Sequence, residues 1–332
     1  MTYFIDNKNN NPAFNLALEQ YIFDSLDRAY NYFTLWQNDN SIIVGKHQNT
    51  TAEINQSFVK AHNINVVRRL SGGGAVYHDS GNINFTFIAD SKEDRKTDFH
   101  FFCSIIQKAL VSFGVPAVIS GRNDITVFDG KKVSGNAQYT KEGRVMHHGT
   151  LLYDTNLDML SGALNAADDK LESKGIKSVK SRVANIRDYM KIDIPAESFL
   201  TELKNYLFKE LDLNEYFLSP FDLIKIDGIK EERYSNWSWN YGFSPPHNIR
   251  KIRRIEGCGQ IELLLNVGKE GIIENAAFYG DFFNNDDLSL LAEKISGNHL
   301  EYNELFSVLK DFDLQRFFND ITLEGFLSLF FE

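Results

Sequence analysis

Residues 68–89 read Arg68-Arg69-Leu70-Ser71-Gly72-Gly73-Gly74-Ala75-Val76-Tyr77-His78-Asp79-Ser80-Gly81-Asn82-Ile83-Asn84-Phe85-Thr86-Phe87-Ile88-Ala89. Three successive glycines remove every Cβ from the turn, so its amides can approach a ligand closely and adopt positive φ. Successive amides of this kind form a concave nest for anions, and two arginines stand immediately upstream. The phosphate loop of nucleoside triphosphatases and the dinucleotide fingerprint both need other spacings and a helix straight after the glycines. Here residues 82–89 alternate polar and apolar, the signature of a strand. The competing reading is a surface turn beside a salt bridge. The arginines, Ser71 and the His78-Asp79 exit favour an anionic ligand, a phosphate above all.

Outward from this stretch, strands and helices mix without a regular alternation. Pro12 opens an amphipathic helical pattern in which Leu16, Leu18, Tyr21, Ile22 and Leu26 recur near the helical interval. Strand-like runs follow at 32–37 and 41–46, then a short helix over 53–62 and a strand at 64–67. Residues 97–113 read as a helix stopped by Gly114 and Pro116. Strands are expected at 124–128, 132–139 and 144–153, joined by turns at Asp129-Gly130 and Lys141-Glu142-Gly143. Helices are expected at 157–164 and 196–210. The expected class is α+β, a mixed or antiparallel sheet flanked by helices. A boundary near Pro245 divides a large domain, 1–245, from a small α+β accessory domain, 246–332. The latter should hold strands at 251–257, 260–267 and 271–279 and helices at 285–296 and 302–312.

The second informative stretch is Gly121-Arg122-Asn123-Asp124 through Lys131-Lys132-Val133-Ser134-Gly135-Asn136-Ala137. On a regular strand Lys131 and Lys132 face opposite sides, and Lys132 shares its side with Ser134 and Asn136. A lysine there suits a phosphate or carboxylate, acting as a compact charge. Lys131 reads as solvated hairpin charge. Asn123 and Asp124 offer hard oxygens such as a Mg²⁺-nucleotide requires. His147 and His148 are adjacent on a strand, face opposite sides and cannot chelate one metal, and no third ligand stands at zinc spacing.

The 332 residues are 43% hydrophobic and 24% charged, ordinary globular usage. Lys and Arg number 35 against 45 Asp and Glu, a net charge of −10 with a pI near 5.4, which disfavours a nucleic-acid coat. Residues 246–332 carry 8 basic and 15 acidic side chains, whereas residues 64–151 carry 11 and 8, so the acidity lies away from the glycine loop. No apolar run is long enough to span a membrane, the N-terminus lacks a signal-peptide pattern, and two cysteines cannot form a disulfide framework. The expectation is a soluble cytoplasmic protein, without nucleic-acid or membrane partners.

RRLSGGGAVYHDSGNINFTF (68–87), GRNDITVFDGKKVSGNAQY (121–139), HHGTLLYD (147–154) and SVKSRVANI (178–186), in that order, closely resemble the lipoate–protein ligases. The resemblance continues through YSNWSWNYGFSP (234–245) into the accessory domain. It implies the catalytic fold of the biotin and lipoate ligases over residues 1–245, and a monomer. It also implies a two-step reaction. Lipoate and ATP give lipoyl-AMP and pyrophosphate, and the lipoyl group then passes to a lysine of an acceptor. Acceptors of this family are lipoyl domains of 2-oxoacid dehydrogenases and the glycine-cleavage H protein.

By the same resemblance, Arg69, Ser71, Gly74, Ala75, Val76 and Tyr77 bind the nucleotide, together with Asn123, Asp124, Lys132, Lys180 and Arg182. Lys132 is the catalytic residue, contacting the lipoyl carbonyl and the α-phosphate, and Asp124 lies near a Mg²⁺. Gly73, Gly74, His78, Lys132, Ala137 and His148 border the lipoate. The loop 177–183 closes over the adenylate. Val44, Val76, Phe85 and Phe87 are candidates for an apolar tunnel, with core packing as their competing role.

Two other readings stand beside this one. An ATP-independent lipoyl or octanoyl transferase of the same superfamily needs a cysteine just before the lysine strand, where this chain has Gly121-Arg122-Asn123-Asp124. A non-catalytic paralogue that binds lipoylated protein is disfavoured by Lys132 and the intact glycine loop. Cys103 sits among apolar residues in an expected helix, an inert setting. Cys103→Ser is therefore expected to retain at least half of wild-type lipoylation in a gel assay with purified acceptor. A folded but inactive variant would restore the cysteine mechanism.

Overall fold

The computed structural model describes residues 1–90, 98–121, 123–164, 182–242, 247–268, 271–283 and 286–331. Its strands are β1 Thr2–Asp6, β2 Asn31–Trp36, β3 Ser41–Val44, β4 Asn65–Arg68, β5 Val76–His78, β6 Asn82–Asp90, β7 Ala117–Ser120, β8 Asp124–Val127, β9 Lys132–Lys141, β10 Arg144–Leu152, β11 Leu213–Tyr216, β12 Ile249–Ile255, β13 Gly259–Val267 and β14 Ile273–Gly280. The α-helices are α1 Pro12–Ser25, α2 Thr50–Glu53, α3 Gln56–Ala61, α4 Phe99–Ser112, α5 Leu157–Ala163, α6 Ala196–Leu211, α7 Pro220–Ile229, α8 Trp237–Tyr241, α9 Leu288–Ile295, α10 Tyr302–Leu309 and α11 Leu323–Phe331.

The chain forms two compact units. The first comprises Met1–Val44, Thr50–Arg69 and Ala75–Asn240, and the second comprises Gly45–Asn49, Leu70–Gly74 and Tyr241–Glu332. Pro245 itself lies outside the described residues. The first unit holds an eight-stranded mixed sheet of order β11-β1-β2-β6-β10-β9-β8-β7 and a three-stranded sheet β4-β3-β5. β1 runs parallel to β2 and β11, while β2, β6, β10, β9, β8 and β7 are successively antiparallel. The α+β expectation with a mixed sheet holds. Gly130, Glu142 and Gly143 take positive φ at the two hairpin turns expected there.

One face of the large sheet is the apolar core. Phe33, Phe85, Phe87, Ile125 and Val133 pack there with Cys103, Ile106 and Leu110 of α4 and Phe199, Leu203 and Leu207 of α6. His147 sits in this core, wholly buried, with its ring stacked on Phe85 and Phe102. Its Nδ1 accepts from Gln138 Nε2 at 2.9 Å and its Nε2 donates to Asn136 Oδ1 at 3.2 Å. Burial drives its pKa well below the ordinary 6.5, so the ring is neutral. Gly149, opposite Asn136 and Phe85, is obligatory because a Cβ would stand 2.3 Å from Asn136 Oδ1 and 2.4 Å from the Phe85 ring.

The other face is polar and is covered in part by α1. Asn11 caps α1 by accepting from Ala13 N and Phe14 N, ahead of Pro12 at the first helical position. The sequence reads as an amphipathic helix, but α1 is buried from Pro12 to Phe23 except at Gln20, because it also packs against α7. Asn15 and Glu19, one turn apart, point inward to Asn38 and to Thr86 and His148, at 1% and 2% exposure. The buried Arg144 closes the far end of α1, donating from Nη1 to Phe23 O and Leu26 O at 2.8 and 2.9 Å. The single short helix expected over 53–62 is two, α2 and α3, separated where Asn55 caps α3 through Phe58 N.

The second unit has its own core, in which Leu263, Leu265, Phe278 and Phe282 pack with Leu291, Leu305, Phe318 and Phe326. These side chains come from the antiparallel sheet β12-β13-β14 and the helices that follow it.

His78 resembles His147 in being buried with a lowered pKa. A histidine held neutral in the fold binds fewer protons than the unfolded chain below pH about 6.5. Its stabilising effect is complete above that pH and fades as the pH falls. His147→Gln should therefore reduce the slope of unfolding free energy between pH 6 and 5 by about 1.4 kcal/mol per pH unit, measured by urea unfolding. Equal slopes in variant and wild type would contradict a neutral His147.

Candidate active site

Lys132 opens β9, and its placement depends on one irregularity. Asp124 lies opposite Gly135 and Ile125 opposite Ser134, but Thr126 lies opposite Lys132, so β9 carries an extra residue at Val133. Paired residues of an antiparallel ladder share a face. Ser134 and Asn136 therefore face the core with Ile125, while Lys132 joins Asp124, Gly135 and Ala137 on the polar face. The even alternation expected from the sequence, with Lys132 beside Ser134 and Asn136, fails at this bulge.

The ammonium of Lys132 lies 2.8 Å from Asp124 Oδ1, both side chains about one-third exposed. It folds over Gly135, where a Cβ would stand 2.6 Å from both Cε and Nζ. Asn123 pins the start of β8, donating from Nδ2 to Asn136 O at 2.8 Å, while Asn136 Nδ2 returns to Asn123 O at 3.0 Å. Val183 pairs with Lys132 in a parallel bridge, and Ala184 N donates to Lys132 O at 3.0 Å. The exposed Arg182 is thus next in sequence to a residue tied to the lysine. Lys180 and the rest of 177–181 lie outside the described residues. Lys131 is engaged elsewhere, its Nζ 3.1 Å from Asp129 Oδ2 in the turn.

Beyond Ala137 the same face carries a buried polar cluster. Ala137 lies opposite His148, His148 opposite Thr86, and Thr86 opposite Thr34. His148 Nδ1 donates to Glu19 Oε1 at 2.9 Å, Thr86 Oγ1 donates to the same oxygen at 2.5 Å, and Trp36 Nε1 donates to Thr86 Oγ1 at 2.9 Å. Arg69 is 5% exposed and donates from Nη1 to Ile43 O at 3.1 Å. Burial draws its pKa down to about 10, with Glu19 opposing that shift and Arg68 adding to it. Arg68 serves the fold instead, donating to Trp239 O at 2.8 Å and Thr50 Oγ1 at 2.6 Å.

His78 completes the cluster with an orphaned donor. Asn15 Nδ2 donates to Asn38 Oδ1 at 2.9 Å, which turns Asn38 Nδ2 toward His78 Nδ1 at 3.0 Å. The proton of His78 therefore sits on Nε2, which is buried and has no hydrogen-bond partner among the described residues. Burial, with the nearby Arg69 guanidinium, pushes the His78 pKa down to about 3. A neutral N–H donor buried beside a guanidinium is equipped for an anionic or carbonyl oxygen. Ala75 leads into β5, where Val76 and Tyr77 pair with β3 on one side, and among the described residues no strand covers the other.

The glycine loop belongs to the second unit, where its glycines meet an internal demand. A Cβ on Gly72 would stand 2.2 Å from Phe282 O, and Gly73 takes φ +91° with its amide 3.3 Å from that oxygen. Ser71 is fully buried, its carbonyl accepting from Lys46 N at 2.8 Å. Only Gly74 among the three is exposed, with open space where a Cβ would point. Phe85 and Phe87 pack in the core on the face opposite Lys132, which removes them from the tunnel candidates.

Glu19, Trp36, Asn38 and Thr86 escaped the sequence reading. Polar residues at 15 and 19 on the inner side of an apolar helix were the available signal.

Residues 11–208 match the lipoyl protein ligase A/B catalytic domain and residues 244–330 the bacterial lipoate protein ligase C-terminus. The lipoate-protein ligase LplJ of Bacillus subtilis is 45% identical over 332 residues, spanning 99% of both chains. The solved structure of LipL1 from P. falciparum in complex with lipoate is 26% identical, with TM-score 0.78 over 99% of this chain and 97% of that one. A bi-partite lipoate protein ligase from Thermoplasma acidophilum, described with its E2 lipoyl domain, is 26% identical with TM-score 0.64 over 75% of this chain and 99% of its own. The chain belongs to the lipoate–protein ligase family.

Gly135 yields a direct test of the lysine's placement. Gly135→Ala meets only the far end of a flexible side chain and needs no positive φ. It is expected to keep its melting temperature within about 3 °C while losing at least about tenfold in ATP-dependent activation of lipoate, the scale of a misplaced catalytic group. Full activity in the folded variant would show that Lys132 acts from another position.

Proposed function

We propose that this enzyme activates lipoate with ATP to lipoyl-AMP and passes the lipoyl group to a lysine of an acceptor protein. Residues 1–245 serve as the catalytic domain and 246–332 as the accessory domain. The observation that carries the reading is a partly exposed ammonium, Lys132, anchored by one carboxylate over a glycine. Around Glu19 and His148 of that face gathers a buried cluster in which Arg69 and His78 come from the smaller sheet and its flank.

In the first step a lipoate carboxylate oxygen attacks the α-phosphorus of ATP. The bond to the bridging oxygen breaks, and pyrophosphate carries away the electron pair. The protein's task is positioning and charge stabilisation rather than covalent chemistry. Lys132 supplies a mobile charge between the carboxylate and the α-phosphate, with Asp124 holding it in readiness. Arg69 and the unpaired edge of β5 at Ala75, Val76 and Tyr77 are assigned to the nucleotide, with Ser71, Gly74, Asn123, Lys180 and Arg182. Gly73, Gly74, His78, Ala137 and His148 are assigned to lipoate, and the His78 Nε2 proton supplies an oxygen acceptor with the partner it lacks. In the second step the acceptor amine attacks the acyl carbon, AMP leaves, and the amine loses a proton. Lys132 stabilises the charge on the acyl oxygen.

Mg²⁺ enters as part of the nucleotide. Asp124 and Asn123 would hold the ion through side-chain oxygens, and no cluster of three or more acidic, histidine or cysteine ligands occurs among the described residues. Such an ion would complete its shell with oxygens from the nucleotide and water, and would supply positive charge against that building on the phosphates. Lipoyl domains and the glycine-cleavage H protein are the proposed acceptors, and the Thermoplasma relative's lipoyl domain supports the first. The enzyme is proposed to act as a cytoplasmic monomer. No helix among the described residues is long and apolar enough to cross a membrane.

The burial of Cys103, with its thiol pushed up to about 12 by burial and nearby carboxylates, argues against a thiolate transferase. Lys132→Ala should lower lipoate-dependent pyrophosphate release from ATP by about 10²–10³-fold, whereas Lys131→Ala should stay within about twofold, as expected of an exposed ion pair. Equal losses, or octanoyl transfer without ATP, would overturn the assignment.

A further inference from the structure

The second unit carries more acid than base, yet its cations are not scattered. Of the 8 basic residues in 246–332, Arg250, Lys251, Arg253 and Arg254 all lie on β12. This strand ends its sheet, so among the described residues no strand lies along its outer edge. Lys251 and Arg253 lie opposite Leu263 and Ile261 on the core face, and Arg253 serves the fold by donating from Nη1 to Ser328 O at 3.3 Å. Arg250, Ile252 and Arg254 form a row on the other face, all exposed, with Ile252 at 46%.

Charge on an edge strand commonly guards against sheet-to-sheet aggregation. That role accounts for Lys251 and Arg253 better than for the outer row. A guard needs only loose charge, whereas Arg250 Nε donates to the nearly buried Glu262 at 2.6 Å and Arg254 Nη2 to Asp281 at 3.3 Å. Glu262 thus fixes the Arg250 guanidinium, and the two Nη groups of Arg250 have no partner among the described residues. An exposed isoleucine at the centre of the row also serves no guard. Fixed guanidinium forks around an apolar side chain have the make-up of a protein interface, where arginine is favoured over lysine.

We infer that the outer edge of β12 docks the acceptor protein, by pairing with an acceptor strand in which an apolar residue stands between two carboxylates. Arg250 and Arg254 are about 13 Å apart along the strand. Residues directly opposite across a strand pair interact. Acids at the first and fifth positions of the added strand therefore meet the two arginines, and the third position covers Ile252. Main-chain bonds supply affinity and the side-chain row supplies selectivity. The surrounding unit, with 15 acidic against 8 basic side chains, repels a continuous polyanion such as nucleic acid.

This inference rests on the ligase reading, so adenylation and transfer are to be measured apart. The probe is a purified apo-lipoyl domain or apo-H protein that the wild-type enzyme modifies. Arg250→Gln combined with Arg254→Gln is expected to raise the acceptor KM about fivefold or more at low salt. Lipoyl-AMP formation and the KM values for ATP and lipoate should stay within about twofold. High salt should bring variant and wild type together, because it screens the pairs in the wild type. Lys294→Gln combined with Lys310→Gln removes the same charge from exposed helical positions of this unit and should leave the acceptor KM within about twofold. An unchanged acceptor KM in the arginine variant, or an equal rise in the lysine variant, would overturn the docking site. If the arginine variant does not fold, amide hydrogen exchange of the wild-type chain decides. Slower exchange across 249–255 on adding the acceptor supports the site, and unchanged exchange there overturns it. Wild-type enzyme that forms no lipoyl-AMP from ATP and lipoate would instead sink the ligase reading itself.

Discussion

The proposed chemistry depends on one extra residue in β9. Without the bulge at Val133, strict alternation would turn Lys132 to the core face, among Phe85, Ile125 and the rings around His147. An ammonium there would be deeply buried, with no carboxylate at hand. Displacing the register by one residue brings it instead to the face that holds Asp124, Ala137 and His148. The bulge is held in place from below. Asn136, bonded to Asn123, Ser134 and His147, clamps the start of β8 against β9. The neutrality of His147 is part of that clamp, because an imidazolium could not accept the amide proton of Gln138. A buried histidine with no place in the proposed chemistry thus supports the geometry of the lysine that has one.

The polar face obeys a second constraint, the cost of removing charge from water. Arg69 is almost fully buried, and its lowered pKa registers that desolvation. Glu19 offsets part of the cost, and the two nearby histidines limit it in different ways. His78 stays neutral, as its strongly lowered pKa requires. His148 is bonded directly to the carboxylate. Asn15 and Asn38 then hold the His78 tautomer in place. The cluster is a set of mutual constraints, in which each side chain fixes the protonation or rotamer of the next.

Much of this architecture is legible in the sequence, and the illegible parts share physical causes. The hairpins around Asp129-Gly130 and Glu142-Gly143 show plainly because turn chemistry and alternation coincide there. Four-residue edge strands such as Ala117–Ser120 and Leu213–Tyr216 carry too little pattern to register. Lys132 is conspicuous, but its face is not, because a bulge leaves no mark in composition. Glu19 is hidden for another reason. A lone acid within a helical pattern ordinarily marks the solvent side, and only its bonds to Thr86 and His148 on the sheet reveal otherwise. The triple glycine is legible as a conformational requirement but ambiguous in cause. Gly72 and Gly73 answer to Phe282, leaving Gly74 with open space.

A run of three glycines suggests a nest by itself, yet two of them are explained by backbone packing inside the second unit. Anion binding then falls to Arg69, Lys132 and β5, an edge strand among the described residues. The buried Nε2 of His78, which finds no hydrogen-bond partner among the described residues, adds a donor beside them. An unsatisfied donor of that kind costs about 1–3 kcal/mol in stability. A folded chain carries such a cost when another demand outweighs it. Beside the Arg69 guanidinium, such a donor is matched to an oxygen bearing negative charge. The substrate carboxylate is the group in the proposed reaction that meets this description.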